Sequence, residues 1–355
     1  MIRGLLIKLV GNKKRENFSL SRVKKVLIDG GRVGDIVVKT PMFRALSDMD
    51  RNIKIDVMVA SGCESMLRNH PNINKIMEMK PRNRVKIFRI FYGWMRALKL
   101  RQEKYDLYFD FTKNIRFSHL LTLRLMKIRY LVECERDEKF GLKKTELTIF
   151  DKYINNTDND IHAVDINMNM LQALGLNTEN RKYELYLGDL EDKYISYFDS
   201  KKINIVFNFL GSTKKRSLKE SDIYWLLENI KKIRKDIIVH VLTTPSIYDQ
   251  TNVLIDKIKN TQINLLPKTK DVLEAASIIK WADVVLSVDT GIVHIASVYN
   301  KPIVGIYTED KRTMSLFSPR SDIYRIIIGK KKEYLENFDK NEVIISLKEI
   351  IEKIK

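Results

Sequence analysis

Cysteine is nearly absent from this chain of 355 residues, which contains only Cys63 and Cys134. Two cysteines so far apart provide neither a disulfide framework nor the clustered thiolates of a structural metal site. We interpret them as structural thiols in a reducing compartment. The sequence is therefore expected to belong to a cytoplasmic protein.

Long hydrophobic runs are lacking as well. No apolar stretch approaches the roughly 20 residues that a helix needs to cross a bilayer. Near the N-terminus, Leu5–Ile7 is followed by Lys8 and the basic run 11–15, so a secretory signal is not expected. Hydrophobic residues make up 44% of the chain, and strand-like and helix-like segments alternate. A globular protein is predicted.

Several familiar catalytic motifs are missing. Gly30, Gly31 and Gly34 do not have the spacing of a dinucleotide-binding fingerprint, and no P-loop Gly-Lys-Ser/Thr follows them. A nucleophilic-serine elbow and the His/Cys spacing of metal sites are also absent. Two Asp-x-Asp patterns, Asp48–Asp50 and Asp158–Asp160, lie in polar turns and are interpreted as solvated. No metal and no other cofactor is expected.

Acidic residues are outnumbered, 45 against 64 basic ones, which gives a net charge of +19. Residues 1–176 hold 34 Lys/Arg against 20 Asp/Glu, and the remainder holds 30 against 25. An excess confined to one half predicts an anionic partner for that half: nucleic acid, acidic lipid headgroups or a phosphorylated substrate. A lysine-rich composition without such a partner is the alternative.

A helix predicted over residues 84–103 combines cations with Phe88, Phe91, Tyr92 and Trp94. Such a basic amphipathic helix is typical of an anionic membrane surface, or of an ordinary helix with buried aromatics and solvated cations. No nucleic-acid-binding module is recognisable, so nucleic acid is not expected as a partner.

Alternating strands and helices occur in two blocks, which predicts two α/β domains with doubly wound parallel sheets. The predicted order is a basic arm over 1–22, an N-terminal domain over 23–176, a linker over 177–202, a C-terminal domain over 203–335 and an amphipathic helix over 336–355. The predicted strands are 26–29, 53–60, 73–79, 105–111, 203–209, 237–242, 263–265, 284–287 and 303–307. The predicted helices include 36–47, interrupted by Pro41, and 116–126, 221–231, 248–260, 271–280 and 292–299.

Two segments, Lys25–Pro41 and Ala282–Ala296, share one local construction. Each is a hydrophobic strand, a glycine-containing turn with a carboxylate, and the start of a helix. This construction presents backbone N–H groups and a helix N-terminus to an anionic ligand. Its repetition about 250 residues apart predicts two domains that face each other across a cleft.

Asp35 follows the glycines of the first segment directly. It is either a capping carboxylate for the first helical turn or a catalytic group. In the second segment, Asp289, Thr290 and Gly291 end a strand and His294 lies one turn into the next helix, where open α/β sheets bind ligands. The alternative for His294 is a half-buried histidine that caps backbone groups.

A third loop, residues 209–216, also follows a strand. Ser212, Thr213 and Lys215 provide hydroxyls and a cation, which suit a diphosphate. A solvated basic turn is the alternative.

These motifs together resemble glycosyltransferase family 9, the lipopolysaccharide heptosyltransferases. Val26–Leu46 is similar to the N-terminal signature of the family, and Tyr105–Asp110 to its third N-terminal unit. Ala282–Ser297 with Lys301–Gly305 is similar to its C-terminal donor signature. The resemblance covers residues 23–330.

The resemblance implies a GT-B fold, in which two Rossmann-like doubly wound domains face a central cleft. It implies an inverting, metal-independent transfer of a heptose from ADP-heptose to the anionic inner core of lipopolysaccharide. The basic N-terminal half would then contact a phosphorylated glycolipid at the inner face of the cytoplasmic membrane.

The resemblance also implies roles for single residues. Asp35 would be the general base that deprotonates the acceptor hydroxyl. The donor-binding residues would be Ser212, Thr213, Lys215, Asp249, Asp289, Thr290, Gly291 and His294. The acceptor-binding residues would be Gly34, Lys113 and Arg116.

Three departures from the family pattern lie on the donor side. Ser217–Leu218 replaces Trp-Pro, Thr243–Pro245 replaces Gly-Gly-Pro, and Tyr307–Asp310 replaces a glycine-bearing loop. Two alternatives therefore remain: a transferase of the same fold that uses another nucleotide-sugar, and a non-catalytic protein that binds anionic surfaces.

Overall fold

The computed structural model describes residues 2–14, 16–79, 86–112, 115–134, 146–154, 161–258 and 260–354, and all their side chains except those of 2, 3 and 86–90. Lys113, Asp158–Asp160 and the first residues of the helix predicted over 84–103 lie outside this part of the chain. The chain divides into two compact units. The first comprises Met1–Gly31, Lys39–Glu64 and His70–Arg181, and the second comprises Arg32–Val38, Ser65–Asn69 and Lys182–Lys355.

The first unit is built on a parallel sheet whose strand order is that of a doubly wound fold. Its strands are β1 (Lys25–Gly31), β2 (Lys54–Ala60), β3 (Lys75–Met79), β4 (Leu107–Asp110), β5 (Tyr130–Cys134) and β6 (Lys152–Ile154). They lie in the order β3-β2-β1-β4-β5-β6. Val26 is paired with both Ile55 and Leu107, so the order reverses between β1 and β4. This reversal places a ligand-binding crevice at the carboxyl ends of these two strands.

The N-terminal part of the chain forms α1 (Ile2–Gly11), α2 (Val33–Val37), α3 (Thr40–Met49), α4 (Lys86–Gln102), α5 (Phe117–Met126) and α6 (Ala163–Gln172). All but α2 belong to the first unit. The segment predicted as a basic arm over 1–22 contains α1, which packs on α5 and leaves Ile7 only 2% exposed.

The helix predicted over 36–47 is divided into two helices, α2 and α3. Pro41, predicted as the point of interruption, is not where the division falls. The break lies at residues 38–39, and Pro41 stands in the first turn of α3. A proline is accommodated there because the first N–H groups of a helix have no partner within the helix.

The second unit repeats the topology of the first. Its strands are β7 (Ile203–Asn208), β8 (Ile237–Leu242), β9 (Ile263–Leu265), β10 (Val284–Val288), β11 (Ile303–Tyr307) and β12 (Tyr324–Ile328). All pair in parallel, in the order β12-β11-β10-β7-β8-β9. Here the reversal falls between β7 and β10. The predicted doubly wound architecture is confirmed for both sheets.

The helices of this unit are α7 (Glu220–Ile230), α8 (Tyr248–Ile258), α9 (Val272–Ile279), α10 (Gly291–Val298), α11 (Lys311–Phe317) and α12 (Lys340–Ile354). The predicted C-terminal amphipathic helix is α12, and it packs on α7 and β12 with Val343, Leu347 and Ile350 in the core. In the described parts of the chain, every helix is too short or too polar to span a membrane.

Candidate active site

The crevice of the second unit is organised by Asn208, a buried residue at the carboxyl end of β7. Its Nδ2 donates to Ser287 Oγ at 3.0 Å, to Thr290 Oγ1 at 3.3 Å and to the carbonyl of Leu210 at 3.2 Å. One amide thereby joins the loop after β7 to the turn after β10. Buried polar groups bonded in this way fix the relative position of the segments they join.

Thr290 begins α10 as its N-cap residue, and its Oγ1 accepts the N–H of Ile292 at 3.3 Å. The residues predicted to share the start of this helix, Gly291 and His294, lie in its first two turns. A helix N-terminus carries partial positive charge and unpaired N–H groups, which suit a phosphate.

Asp289 comes directly before this helix, and its carboxylate is mostly buried. Burial raises the pKa of Asp289, the Arg216 guanidinium opposes that rise, and the carboxylate of Asp310 adds to it. Arg216 Nη1 lies 3.5 Å from Asp289 Oδ2. The turn after β10 thus places a mostly buried carboxylate beside a cation.

The loop after β7 is closed on itself by Ser217. Ser217 Oγ accepts the N–H of Gly211 at 3.0 Å and donates to the carbonyl of Thr213 at 3.1 Å. A Cβ at Gly211 would collide with the carbonyl oxygen of Arg216. This closed loop exposes Ser212 and Thr213 to solvent.

Lys215 in the same loop is exposed, and its Nζ lies 4.5 Å from the ring centroid of Tyr334. Its carbonyl accepts the N–H of Leu335 at 2.9 Å. The chain after β12 is therefore attached to the loop that carries Lys215.

Asp35 lies in α2, which is grouped with the second unit. Its Oδ2 accepts the N–H of Arg32, the N-cap residue of α2, at 3.0 Å, so this carboxylate caps the helix from the third helical position. Its Oδ1 accepts no hydrogen bond from any residue that the structure describes.

The two segments singled out in the sequence meet where α2 packs on α10. A Cβ at Gly34 would come within 2.8 Å of His294 Cδ2, and a Cβ at Gly291 within 2.5 Å of Val33 Cγ1. Real Cβ atoms do not approach other atoms so closely, and both positions require glycine. Residues 33–35 thereby lie against the helix start at Gly291.

The crevice of the first unit lies where β1 and β4 end. Gly31 has a φ of 71°, in the left-handed region that favours glycine, and its N–H bonds to Asp29 Oδ1 at 3.1 Å. Asp110 is buried at the end of β4, and its Oδ2 lies 2.9 Å from His119 Nε2. Arg116 is the exposed N-cap residue of α5.

The sequence model of glycosyltransferase family 9 (heptosyltransferase) matches residues 95–344. The chain belongs to glycosyltransferase family 9. It is 24% identical over 301 residues to the Escherichia coli (strain K12) protein named "Putative lipopolysaccharide heptosyltransferase 4", covering 82% of this chain and 76% of that protein.

Solved structures place the fold of this family 9 glycosyltransferase among the GT-B heptosyltransferases. The E. coli ADP-heptose lipopolysaccharide heptosyltransferase II matches with a TM-score of 0.67 at 16% identity, over 93% of this chain and 99% of that one. The E. coli heptosyltransferase WaaC with ADP matches with a TM-score of 0.65 at 16% identity, over 93% and 100%. The predicted family and the predicted fold are both confirmed.

Two further predicted site residues of this glycosyltransferase are Asp249 and Lys113. Asp249, in the first turn of α8, is solvent-exposed and lies 3.1 Å from Lys268 Nζ. Lys113 lies outside the described residues. Among the described residues, no group of three or more His, Cys, Asp or Glu side chains could hold a metal ion.

Three residues of the candidate site were not predicted from the sequence: Asn208, Arg216 and Tyr334. Asn208 could have been found as a polar residue at the end of a buried strand, beside the crevice. The partners of Arg216 and Tyr334 lie more than 70 residues away in sequence, and no local pattern signals them.

Proposed function

We propose that this glycosyltransferase transfers a heptose, with inversion, from ADP-heptose to the anionic inner core of lipopolysaccharide. The names of the related proteins, lipopolysaccharide heptosyltransferases and an ADP-heptose enzyme among them, support the sugar, the acceptor and the ADP-activated donor. The observation that carries the proposal is the packing of α2 on α10, because it joins Asp35 to the helix start proposed to hold the diphosphate.

The proposed donor site uses the crevice of the second unit. The N–H groups at Thr290–Gly291 and the side chains of Ser212, Thr213 and Lys215 would hold the diphosphate. Their positive potential would stabilise the negative charge that develops on the leaving ADP. Asp289 would bind hydroxyls of the donor sugar, His294 would support the phosphate region, and Asp249 would bind the ribose.

In the proposed reaction, Asp35 is the general base. One oxygen of its carboxylate is held by the Arg32 N–H, and the other is free of hydrogen bonds within the described chain. This second oxygen would take the proton of the acceptor hydroxyl as that oxygen attacks the anomeric carbon. The bond from that carbon to the diphosphate breaks with departure of ADP, and attack from the opposite face inverts the configuration.

The proposed acceptor is a phosphorylated glycolipid at the inner face of the cytoplasmic membrane. Gly34, Lys113 and Arg116 would contact it. The excess of 34 basic over 20 acidic residues in the first 176 residues supports an anionic, membrane-borne acceptor.

Replacing Asp35 with asparagine tests the catalytic proposal. An amide oxygen can still accept the Arg32 N–H, so folding and donor affinity should be retained, whereas an amide cannot take a proton. We expect kcat to fall by about 10²- to 10⁴-fold. Turnover is measured as ADP release, with the melting temperature and ADP affinity as controls. Near-normal turnover would remove Asp35 from this role.

A transferase of the same fold that uses another nucleotide-sugar is the second candidate. It is favoured by the donor loop, which Ser217 closes at the position where the family pattern has Trp-Pro. A panel of nucleotide-sugars would decide, since a ligand that binds the folded state raises the melting temperature. We expect ADP-heptose to give the largest rise. A larger rise with another donor would contradict this choice, and no rise with any donor would favour a non-catalytic binder.

A further inference from the structure

Two helices of the first unit expose large apolar side chains. On α1, Leu5 is 70% and Leu9 is 72% exposed, and on α4, Phe91 is 55%, Met95 44% and Leu98 46% exposed. The solvent side of a helix in a globular protein is ordinarily polar. These side chains follow helical spacing, so each helix presents an apolar stripe rather than scattered residues.

The opposite sides of the same helices already supply the core. Ile7 of α1 and Ala97 and Leu100 of α4 are buried in one cluster with Leu120 and Leu123 of α5. Both α1 and α4 pack on α5. Because the inner faces account for the packing of both helices, their outer stripes are not needed to hold the first unit together.

The charged residues of these helices are all basic. The sequences of α1, α4 and α5 contain eight Lys/Arg and no Asp/Glu, although about one residue in eight of the whole chain is acidic. Arg96, Lys99 and Arg101 are exposed among the apolar residues of α4. Lys8 of α1 is paired with Glu146 at 3.2 Å. An apolar stripe bordered by cations is the pattern of helices that lie in the headgroup region of anionic bilayers.

We propose that the outer faces of α1 and α4 bind a bilayer rich in anionic phospholipid. The α1–α4 surface is defined by Leu5, Leu6, Leu9, Phe91, Tyr92, Met95 and Leu98. A second copy of this chain fits less well, because a symmetric contact would bring this basic surface against itself. The inference deepens the proposed function, since it names the surface that meets the membrane of the acceptor. Only the reason for membrane binding rests on the proposed function; the binding itself does not.

Binding of the full chain to lipid vesicles tests the α1–α4 surface, and the test needs neither a sugar donor nor an acceptor. We expect binding to phosphatidylcholine vesicles that contain about one-third phosphatidylglycerol, and none to phosphatidylcholine alone. Two apolar double variants should each weaken binding about tenfold or more. One combines Phe91→Ser with Leu98→Ser, and the other combines Leu5→Ser with Leu9→Ser. Arg96→Gln with Lys99→Gln should weaken it roughly fivefold for each charge removed.

The matched control is Val253→Ser with Ile345→Ser. These residues are 56% and 54% exposed on α8 and α12 of the second unit, so the control removes similar exposed apolar area elsewhere. It should bind vesicles like the unaltered chain. Equal binding by the control and both apolar double variants would overturn the proposal.

A second measurement locates the surface directly. Cys63 and Cys134 are both buried, so Met95→Cys can be labelled selectively with a polarity-sensitive fluorophore. Its emission should shift to the blue on addition of phosphatidylglycerol vesicles, while a label on Val253→Cys should not respond. An unshifted Met95 label would overturn the proposal, as would a lipid-free dimer that the α1–α4 substitutions dissociate.

Transfer to a soluble acceptor fragment separates this inference from the proposed function. The α1–α4 variants should release ADP at the unaltered rate there, because no membrane is involved. Suppose that neither the unaltered chain nor any variant transfers sugar, while the α1–α4 substitutions still weaken vesicle binding. The proposed function would then be wrong, and the proposed membrane-binding surface would be supported.

Discussion

Two glycines set how closely α2 approaches α10, and both belong to motifs that the sequence shows only as separate turns. Gly34 faces the ring of His294, and Gly291 faces the side chain of Val33. His294 is itself confined, since it is 3% exposed and its ring packs edge-on to Phe317 at 5.8 Å. The ring of His294 therefore has little room to move away from a methyl group at Gly34. A Cβ at Gly291 would lie 2.6 Å from Val33 Cβ, which is attached directly to the backbone of α2.

We expect Gly291→Ala to destabilise the second unit by about 1–3 kcal/mol, the usual cost of overpacking a filled site. It should also lower turnover, because α2 carries Asp35. Thermal unfolding and ADP release measure the two effects. Gly93→Ala is the matched control: a Cβ there meets no atom of the described residues within 4 Å, and alanine favours the helix by about 1 kcal/mol. If Gly291→Ala has the stability and turnover of the unaltered chain, the close packing of Gly291 on Val33 does not matter for either property.

Site residues were predictable from the sequence where the interaction is local. Thr290 caps the next helix and Asp35 bonds to Arg32, and each partner is within three residues. The loop after β7 contains several cations, and contacts with residues distant in sequence decide which of them reaches Asp289. Ser217 closes that loop and Tyr334 lies against Lys215, so Arg216 is the residue that meets the carboxylate.

At the scale of elements, the predicted strands that are strongly apolar all exist. The helix α6 was missed although it buries five of its residues, and four other missed elements have a weak pattern. Glu133 breaks the apolar run of β5, and β6 is only three residues long. The strand β12 buries only one of its five residues, and α11 buries none. Such elements form through pairing or packing with distant segments, which local periodicity does not contain.

The two-sided pattern of α1 explains why residues 1–22 were predicted as an appended arm. Its apolar residues surround the helix, so no single face marks the side that packs on the core. Only the partner helix α5 decides that Ile7 turns inward and Leu5 and Leu9 turn outward.

At the scale of the whole molecule, each unit contains a carboxylate whose bonds make stability depend on pH. In the first unit, hydrogen bonds from Lys25 and Lys75 lower the pKa of Glu103 to about 2. In the second unit, burial acts to raise the pKa of Glu274, but bonds from Lys193, the Lys270 N–H and Tyr194 outweigh it and leave the pKa lowered.

A carboxylate with a lowered pKa in the folded state stabilises that state fully above its unfolded pKa and loses the contribution as pH falls through the folded pKa. For Glu103 this window runs from its ordinary pKa of 4.5 down to a pKa of about 2. We expect Glu103→Gln to lower the melting temperature at neutral pH and to flatten its fall across that window. Glu220→Gln is the control, because Glu220 is exposed and its only described ion pair, with Lys257, is 3.7 Å long. If Glu103→Gln melts in parallel with the unaltered chain from neutral pH to pH 2, the ion pairs with Lys25 and Lys75 contribute nothing to acid stability.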